Sequence, residues 1–162
     1  MNWSEYFYYE DGHLFRKVAT GPTTKVGDKA GGINGKGYIC VRLFNKKFMA
    51  HRIIWNLLKG DIPKDFEVDH IDGNKANNKI ENLRLATRSQ NMLNKKIKST
   101  NTSGYRGVTF NKAAKKWQAR IFVNKLPILL GHFIEITEAA KAYDDAVKKF
   151  GLTHARLNLG GL

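Results

Sequence analysis

Apolar and polar positions alternate with a period of two through the first fifty or so residues, broken at glycine-containing turns. That period predicts a small antiparallel β-meander. Tyr6-Phe7-Tyr8-Tyr9 runs into Asp11-Gly12, a pair suited to the positive φ angles of a tight hairpin, and Leu14 to Val18 returns as its second strand. Gly31 to Gly37 reads as a loop. Gly37 to Phe44 is a strand, and Asn45-Lys46-Lys47 turns it into another at Phe48-Met49-Ala50. The pattern then becomes helical. His51 to Lys59 predicts a short helix, with Gly60 just past its last turn. Ile62-Pro63 forces an extended path. Phe66 to Asp69 follows as a strand, Gly73 to Asn78 as a polar loop and Leu83 to Ala86 as a second strand. Thr87-Arg88-Ser89-Gln90 has the form of a capping box, so a helix starts there with Asn91 in its first turn.

Lys95 to Ser103 is polar and basic without apolar periodicity, and reads as a linker. Beyond it, Tyr105 to Phe110, Lys116 to Phe122 and Ile128 to Phe133 are three strands. Thr137 is the expected N-cap of a helix, with Glu138 placed for its positive end. Ala139, Ala142, Tyr143, Ala146 and Phe150 form one face of that helix, and Gly151 closes it. The expected fold class is α+β: a meander leading into a strand–strand–helix core at about 66–95, then a three-stranded antiparallel sheet packed on one helix. The expected domains are residues 1–95 and 104–162, joined by a basic linker at 96–103.

Charge sharpens this picture. The chain of 162 residues carries a formal net charge of +14, and no Asp or Glu lies between Glu81 and Glu135. Arg and Lys, Lys98 among them, populate that interval alone. A one-sign tract of this length points to a polyanionic partner, because basic side chains that neutralise phosphates release condensed counterions. The single cysteine, Cys40, offers no disulfide and no zinc pair, and its apolar surroundings (Tyr38-Ile39-Cys40-Val41) suggest a buried, inert thiol. The first residues lack a leader pattern and no apolar run approaches membrane-spanning length. A cytoplasmic protein that is not secreted and has no membrane partner is therefore expected.

Candidate chemistry lies at Asp69-His70, followed by Asn82 and then Asn91. One carboxylate, one imidazole and two carboxamides suit metal-assisted attack on a phosphodiester, which needs a hard cation on the phosphate and a held base for water. Oxygen donors of this kind suit Mg²⁺ or Mn²⁺ better than zinc. Arg52, Arg84 and Arg88 read as phosphate clamps or as solvated surface. His51, at the start of an apolar helix, is expected to pack or cap. Asp72 reads as a turn residue.

Residues 50–95 resemble the HNH homing endonucleases and their ββα-metal fold. The resemblance runs through Ala50-His51-Arg52, Val68-Asp69-His70-Ile71-Asp72-Gly73-Asn74, Asn77-Asn78, Ile80-Glu81-Asn82-Leu83-Arg84 and Ser89-Gln90-Asn91. The third signature position is Asn, as in many phage homing enzymes. The resemblance implies that His70 is the general base, that Asp69 and Asn91 hold one divalent cation, and that Asn82 hydrogen-bonds across the loop to orient His70.

Residues 104 to about 159 resemble the Apetala-type, or ethylene-response-factor, DNA-binding domain. The resemblance rests on Tyr105-Arg106-Gly107-Val108, Lys116-Trp117, Leu130-Gly131-His132-Phe133, Ala139-Ala140, Ala142-Tyr143-Asp144 and Leu157-Asn158. It implies a sheet laid into the major groove. Arg106 matches an arginine that contacts DNA in the plant domains, and Trp117 matches an aromatic position that packs or contacts. Thr109, Asn111 and Leu129 stand where plant members carry Arg, Arg and Trp, so their target sequence does not transfer. Lys95, Lys96, Lys116 and Arg120 complete the expected DNA contacts. The whole reads as a homing-type DNA endonuclease, monomeric or weakly dimeric, needing Mg²⁺ or Mn²⁺ but no nucleotide cofactor. The rival readings are a non-catalytic DNA-binding regulator with a decayed nuclease fold and, more weakly, a protein directed at RNA.

Overall fold

Alternation in the first fifty residues folds as two small antiparallel sheets. In the computed structural model, which describes residues 1–97 and 99–160, β1 (Phe7–Glu10), β2 (His13–Arg16) and β3 (Lys29–Ala30) form one sheet in that order. β4 (Gly32–Ile33), β5 (Ile39–Leu43) and β6 (Lys46–Met49) form the next. The β1–β2 turn is made by Asp11 and Gly12 at φ of 40° and 82°, the conformation that Asp-Gly favours. The β5–β6 turn falls on Phe44 and Asn45, at φ of 47° and 58°, one residue earlier than the sequence suggests. The two-residue strands β3 and β4 lie in glycine-rich chain that carries no alternating signal. Cys40 is half-buried rather than fully buried, and its Sγ accepts a hydrogen bond from Asn34 Nδ2 at 3.0 Å.

Helix α1 (Ala50–Lys59) follows and ends at Gly60, whose φ of 89° releases the chain from the helix. It buries Ala50, His51, Ile53 and Ile54. β7 (Phe66–His70) pairs antiparallel with β8 (Leu83–Thr87), and α2 (Arg88–Asn94) comes next. One core joins these parts: Phe7, Leu14, Val41, Leu43, Ile53, Ile54, Val68 and Leu83 pack together. The first hairpin also reaches the loop between β7 and β8. The Tyr9 hydroxyl accepts the Ile80 N–H at 3.2 Å, and Asp11 pairs with Lys79 at 2.8 Å.

The chain divides into two compact units, Met1–Asn91 and Met92–Leu162. In the second, β9 (Val108–Asn111), β10 (Lys116–Val123) and β11 (Leu126–Phe133) form an antiparallel sheet with β10 in the middle. Helix α3 (Ile136–Lys149) covers one face. Val108, Ala119 and Ile121 on the sheet are buried, as are Ala139, Ala140, Tyr143, Ala146 and Val147 on the helix. Gly107 marks the tightest approach. A Cβ there would stand 2.2 Å from the Arg120 carbonyl oxygen and 2.5 Å from the Tyr143 ring, and its φ is 65°. α3 starts at Ile136 with the main chain of Glu135 as its cap, so Thr137 lies inside the first turn instead of capping it.

Residues expected in the linker take up defined contacts on either side of Lys98, which lies outside the described residues, as do 161 and 162. Ser103 is buried and its hydroxyl donates to the Val108 carbonyl at 2.8 Å. Buried Asp144 ties down the tail by accepting the N–H groups of Asn158 and Leu159 at 2.6 and 2.8 Å. Among the described residues no helix is long and apolar enough to cross a membrane.

Candidate active site

The β7–β8 ladder fixes the first pair. Asp69 lies opposite Arg84, and His70 opposite Leu83. Arg84 donates from Nε and Nη2 to Asp69 Oδ2, both at 3.2 Å, and this carboxylate is buried. The ladder closes where the Ile71 N–H bonds the Asn82 carbonyl at 2.8 Å.

The loop beyond is held by side chains, as short polar residues allow. Asn82 Nδ2 donates to Asp72 Oδ1 at 3.0 Å and to the Asn77 carbonyl at 2.8 Å, while its Oδ1 accepts the Asp72 N–H at 3.1 Å. Asp72 also accepts from the Asn74 N–H and from Asn77 Nδ2, both at 2.7 Å. Burial pushes the Asp72 carboxyl up, but the hydrogen bonds from Asn77, Asn74 and Asn82 outweigh it and hold the group below the usual carboxylate range. The turn residue of the sequence is thus the hub of the loop.

His70 makes its hydrogen bond to Asn78, not Asn82: Nε2 and Oδ1 are 2.9 Å apart, with both residues buried. Asn82 bonds across the loop to Asp72 and Asn77. With the carboxamide oxygen as acceptor, the imidazole proton sits on Nε2, and Nδ1 is the basic nitrogen.

Two rings complete the wall. His51 meets His70 edge to face with centroids 4.9 Å apart, and Tyr38 lies 5.4 Å from His51 and 6.1 Å from His70. Burial, then the neighbouring His70 and Arg52, push His51 down to about 3. Its Nδ1 is sealed from solvent with no hydrogen-bond partner. Lys75 Nζ sits 4.7 Å over the Tyr38 ring and donates to the Lys36 carbonyl at 3.0 Å. Burial raises the Tyr38 phenol, as do the nearby charges of Asp69 and Glu67.

Asn91 is presented by the first turn of α2. The capping box forms as read: the Thr87 N–H bonds Gln90 Oε1 at 2.8 Å, and the Gln90 N–H bonds Thr87 Oγ1 at 3.3 Å. Asn91 Nδ2 donates to Glu67 Oε2 at 2.7 Å, and Glu67 shares a face of β7 with Asp69. Among the described residues no group of three or more His, Cys, Asp or Glu is placed to hold a metal. A carboxylate and a carboxamide oxygen nevertheless fit a hard ion such as Mg²⁺, which keeps several waters and takes further oxygens from a substrate phosphate.

The structure gathers Asp69, His70 and Asn82 around one loop and sets Asn91 against the same strand. Three of the expected DNA contacts have partners within the chain. Arg84 is engaged by Asp69. Arg106 is half-buried, with its guanidinium donating to the carbonyls of Leu93 and Lys95, because chain ends of helices leave such oxygens unsatisfied. Trp117 meets Phe110 edge to face with ring centroids 5.1 Å apart and joins the cluster of Val108 and Ala119. Arg52, Arg88, Lys95, Lys96, Lys116 and Arg120 are exposed. The sequence marks Asn78 only as part of the polar loop, His51 as a packing or capping residue and Tyr38 as a strand position. Only Asn78 carried a signal, as a second carboxamide in a polar loop eight residues after His70.

Residues 48–93 match the family model described as HNH endonuclease. The chain is 38% identical over 78 residues to protein 3.8 of Escherichia phage T7, covering 48% of this chain and 64% of that protein. It is 38% identical over 99 residues to "Uncharacterized HNH endonuclease L560" of Acanthamoeba polyphaga mimivirus, covering 60% of this chain and 50% of that one. It is 39% identical over 57 residues to "SPbeta prophage-derived putative HNH homing endonuclease YosQ" of Bacillus subtilis, covering 35% and 33%. The chain therefore spans between a third and two thirds of the length of these relatives. No solved structure matches it significantly. The chain carries an HNH endonuclease domain with phage and viral relatives, and the Apetala-type resemblance of its second unit rests on sequence motifs alone.

Proposed function

We propose that this chain is a metal-dependent DNA endonuclease of homing type, in which the first unit cuts and the second recognises the site. The observation that carries the reading is His70: a buried imidazole whose Nε2 is fixed on Asn78, adjacent in sequence to Asp69 and followed by a hydrogen-bonded loop. His70 Nδ1 takes the proton from the attacking water. Asn78 holds the tautomer, and Asn82 and Asp72 hold the loop that carries Asn78. Asp69 and Asn91 would hold a Mg²⁺ or Mn²⁺ ion, which when bound polarises the scissile phosphate and stabilises the leaving oxygen. Arg84 fixes the Asp69 carboxylate, and Lys75, exposed beside Tyr38, would meet a neighbouring DNA phosphate. The homing assignment is supported by the name of the Bacillus relative and by the pairing of a nuclease domain with a second basic unit. One such site per chain favours a nick in one strand.

Supercoiled plasmid incubated with the wild type and with His70→Ala, each in Mg²⁺ or EDTA, tests the reading. Open circles should form only with the wild type and metal. DNA shifted on a gel but intact in every lane would favour the rival reading of a DNA-binding regulator.

A further inference from the structure

The sheet face turned away from α3 sets two exposed large apolar side chains, Phe122 and Leu129, among polar ones. The β10 register places outward residues in rows: Thr109, Gln118 and His132; then Arg120 and Leu129; then Phe122 and Pro127. Phe122 is 56% and Leu129 52% exposed. Basic residues surround the face, with Lys112, Lys115, Lys116 and Lys125 in the strand ends and turns.

We infer that this face reads thymine methyl groups in the major groove of duplex DNA, through Phe122 and Leu129, beside hydrogen-bonding contacts from Gln118 and Arg120. The inference rests on the second unit being the recognition module. The 5-methyl of thymine is the apolar group a duplex displays in its major groove, and glutamine and arginine suit the adenine and guanine edges there. Double-stranded RNA lacks the methyl, and its deep, narrow major groove does not admit such side chains. Outward residues on a strand recur about every 6.7 Å, roughly two base-pair steps of 3.4 Å, so Gln118, Arg120 and Phe122 can address alternate pairs along the groove. A second copy of this chain fits the face poorly. Residues 82–134 contain no carboxylate to offset the basic rim, so pairing like faces would set positive charge against positive charge.

The test uses the full chain in EDTA, so that DNA stays intact. Sites are selected from a random duplex pool, and the best is resynthesised with deoxyuridine in place of thymidine, which removes only the methyl groups. Binding should weaken about fourfold for each thymine read, the factor expected for one buried methyl. Phe122→Ala and Leu129→Ala, both at exposed positions, should each bind more weakly and lose part of the uracil penalty. Equal binding of the thymine and uracil duplexes, with dependence on Arg120 retained, would overturn the methyl inference alone. Binding untouched by Arg120→Ala, Phe122→Ala and Leu129→Ala together would overturn the recognition role of the unit as well. A concentration-dependent dimer in sedimentation that Phe122→Ala dissociates would show the face to be covered by a second copy, and would also overturn the inference.

Discussion

Asn78 Oδ1 lies 2.9 Å from His70 Nε2, with both residues buried. Asn78→Ala leaves the imidazole N–H unpaired, a loss of about 1–3 kcal/mol, and releases the tautomer. Turnover should fall between about fivefold and a hundredfold, with KM for DNA little changed. An unchanged kcat would remove Asn78 from the positioning of the base.

His51 makes stability depend on pH. Its folded pKa is pushed down to about 3, below the ordinary value of 6.5. Between those two values the unfolded chain binds a proton that the folded chain refuses, so stability falls as pH drops from about 6.5 toward 3 and is unaffected by this group above that window. Melting temperatures of the wild type should therefore decline from pH 7 to pH 4.5, and His51→Phe, which keeps a ring against His70, should decline less. Parallel curves for the two proteins would contradict this.

Arg84 and Asp69 form a largely buried ion pair, with side-chain exposures of 20% and 9%. Removing the guanidinium leaves the carboxylate without its cation in a site poor in water. Arg84→Ala should cost roughly 1–3 kcal/mol in urea unfolding. Arg84→Lys should recover little, because an ammonium cannot reproduce the paired contacts from Nε and Nη2.

Gly107 has room for no side chain. Gly107→Ala combines a positive φ with a contact of 2.2 Å to the Arg120 carbonyl, so β9, β10 or α3 must shift. We expect a loss of about 2 kcal/mol or more in the stability of the second unit, read by chemical denaturation. Loss of sequence-selective binding with retained metal-dependent plasmid nicking would follow from the proposed division of labour.

Features encoded by neighbours a few residues apart were legible in the sequence. The Thr87–Gln90 box, the Asp11-Gly12 hairpin and the Gly60 helix end all depend on local backbone chemistry. Contacts between distant residues were not. His51 reaches His70 from a different element, and nothing in an apolar helix marks one ring as facing a site. Arg106 and Trp117 stand at positions where exposure decides their role, and their contacts with Leu93, Lys95 and Phe110 join residues that no local pattern pairs. The same holds for Arg84, whose partner Asp69 becomes its neighbour only through strand register.

The hairpin that latches onto the β7–β8 loop bears on any attempt to transplant the cutting module. The family-model match starts at residue 48, yet Phe7 and Leu14 share the core of Val68 and Leu83, and Tyr9 and Asp11 brace the loop at Ile80 and Lys79. A chimera spliced at the edge of the family match would inherit the signature residues without the scaffold that tensions them. Under the proposed division of labour, a portable nuclease domain would carry the N-terminal meander with it, and a seam for exchanging the second unit would fall past the end of α2 at Asn94.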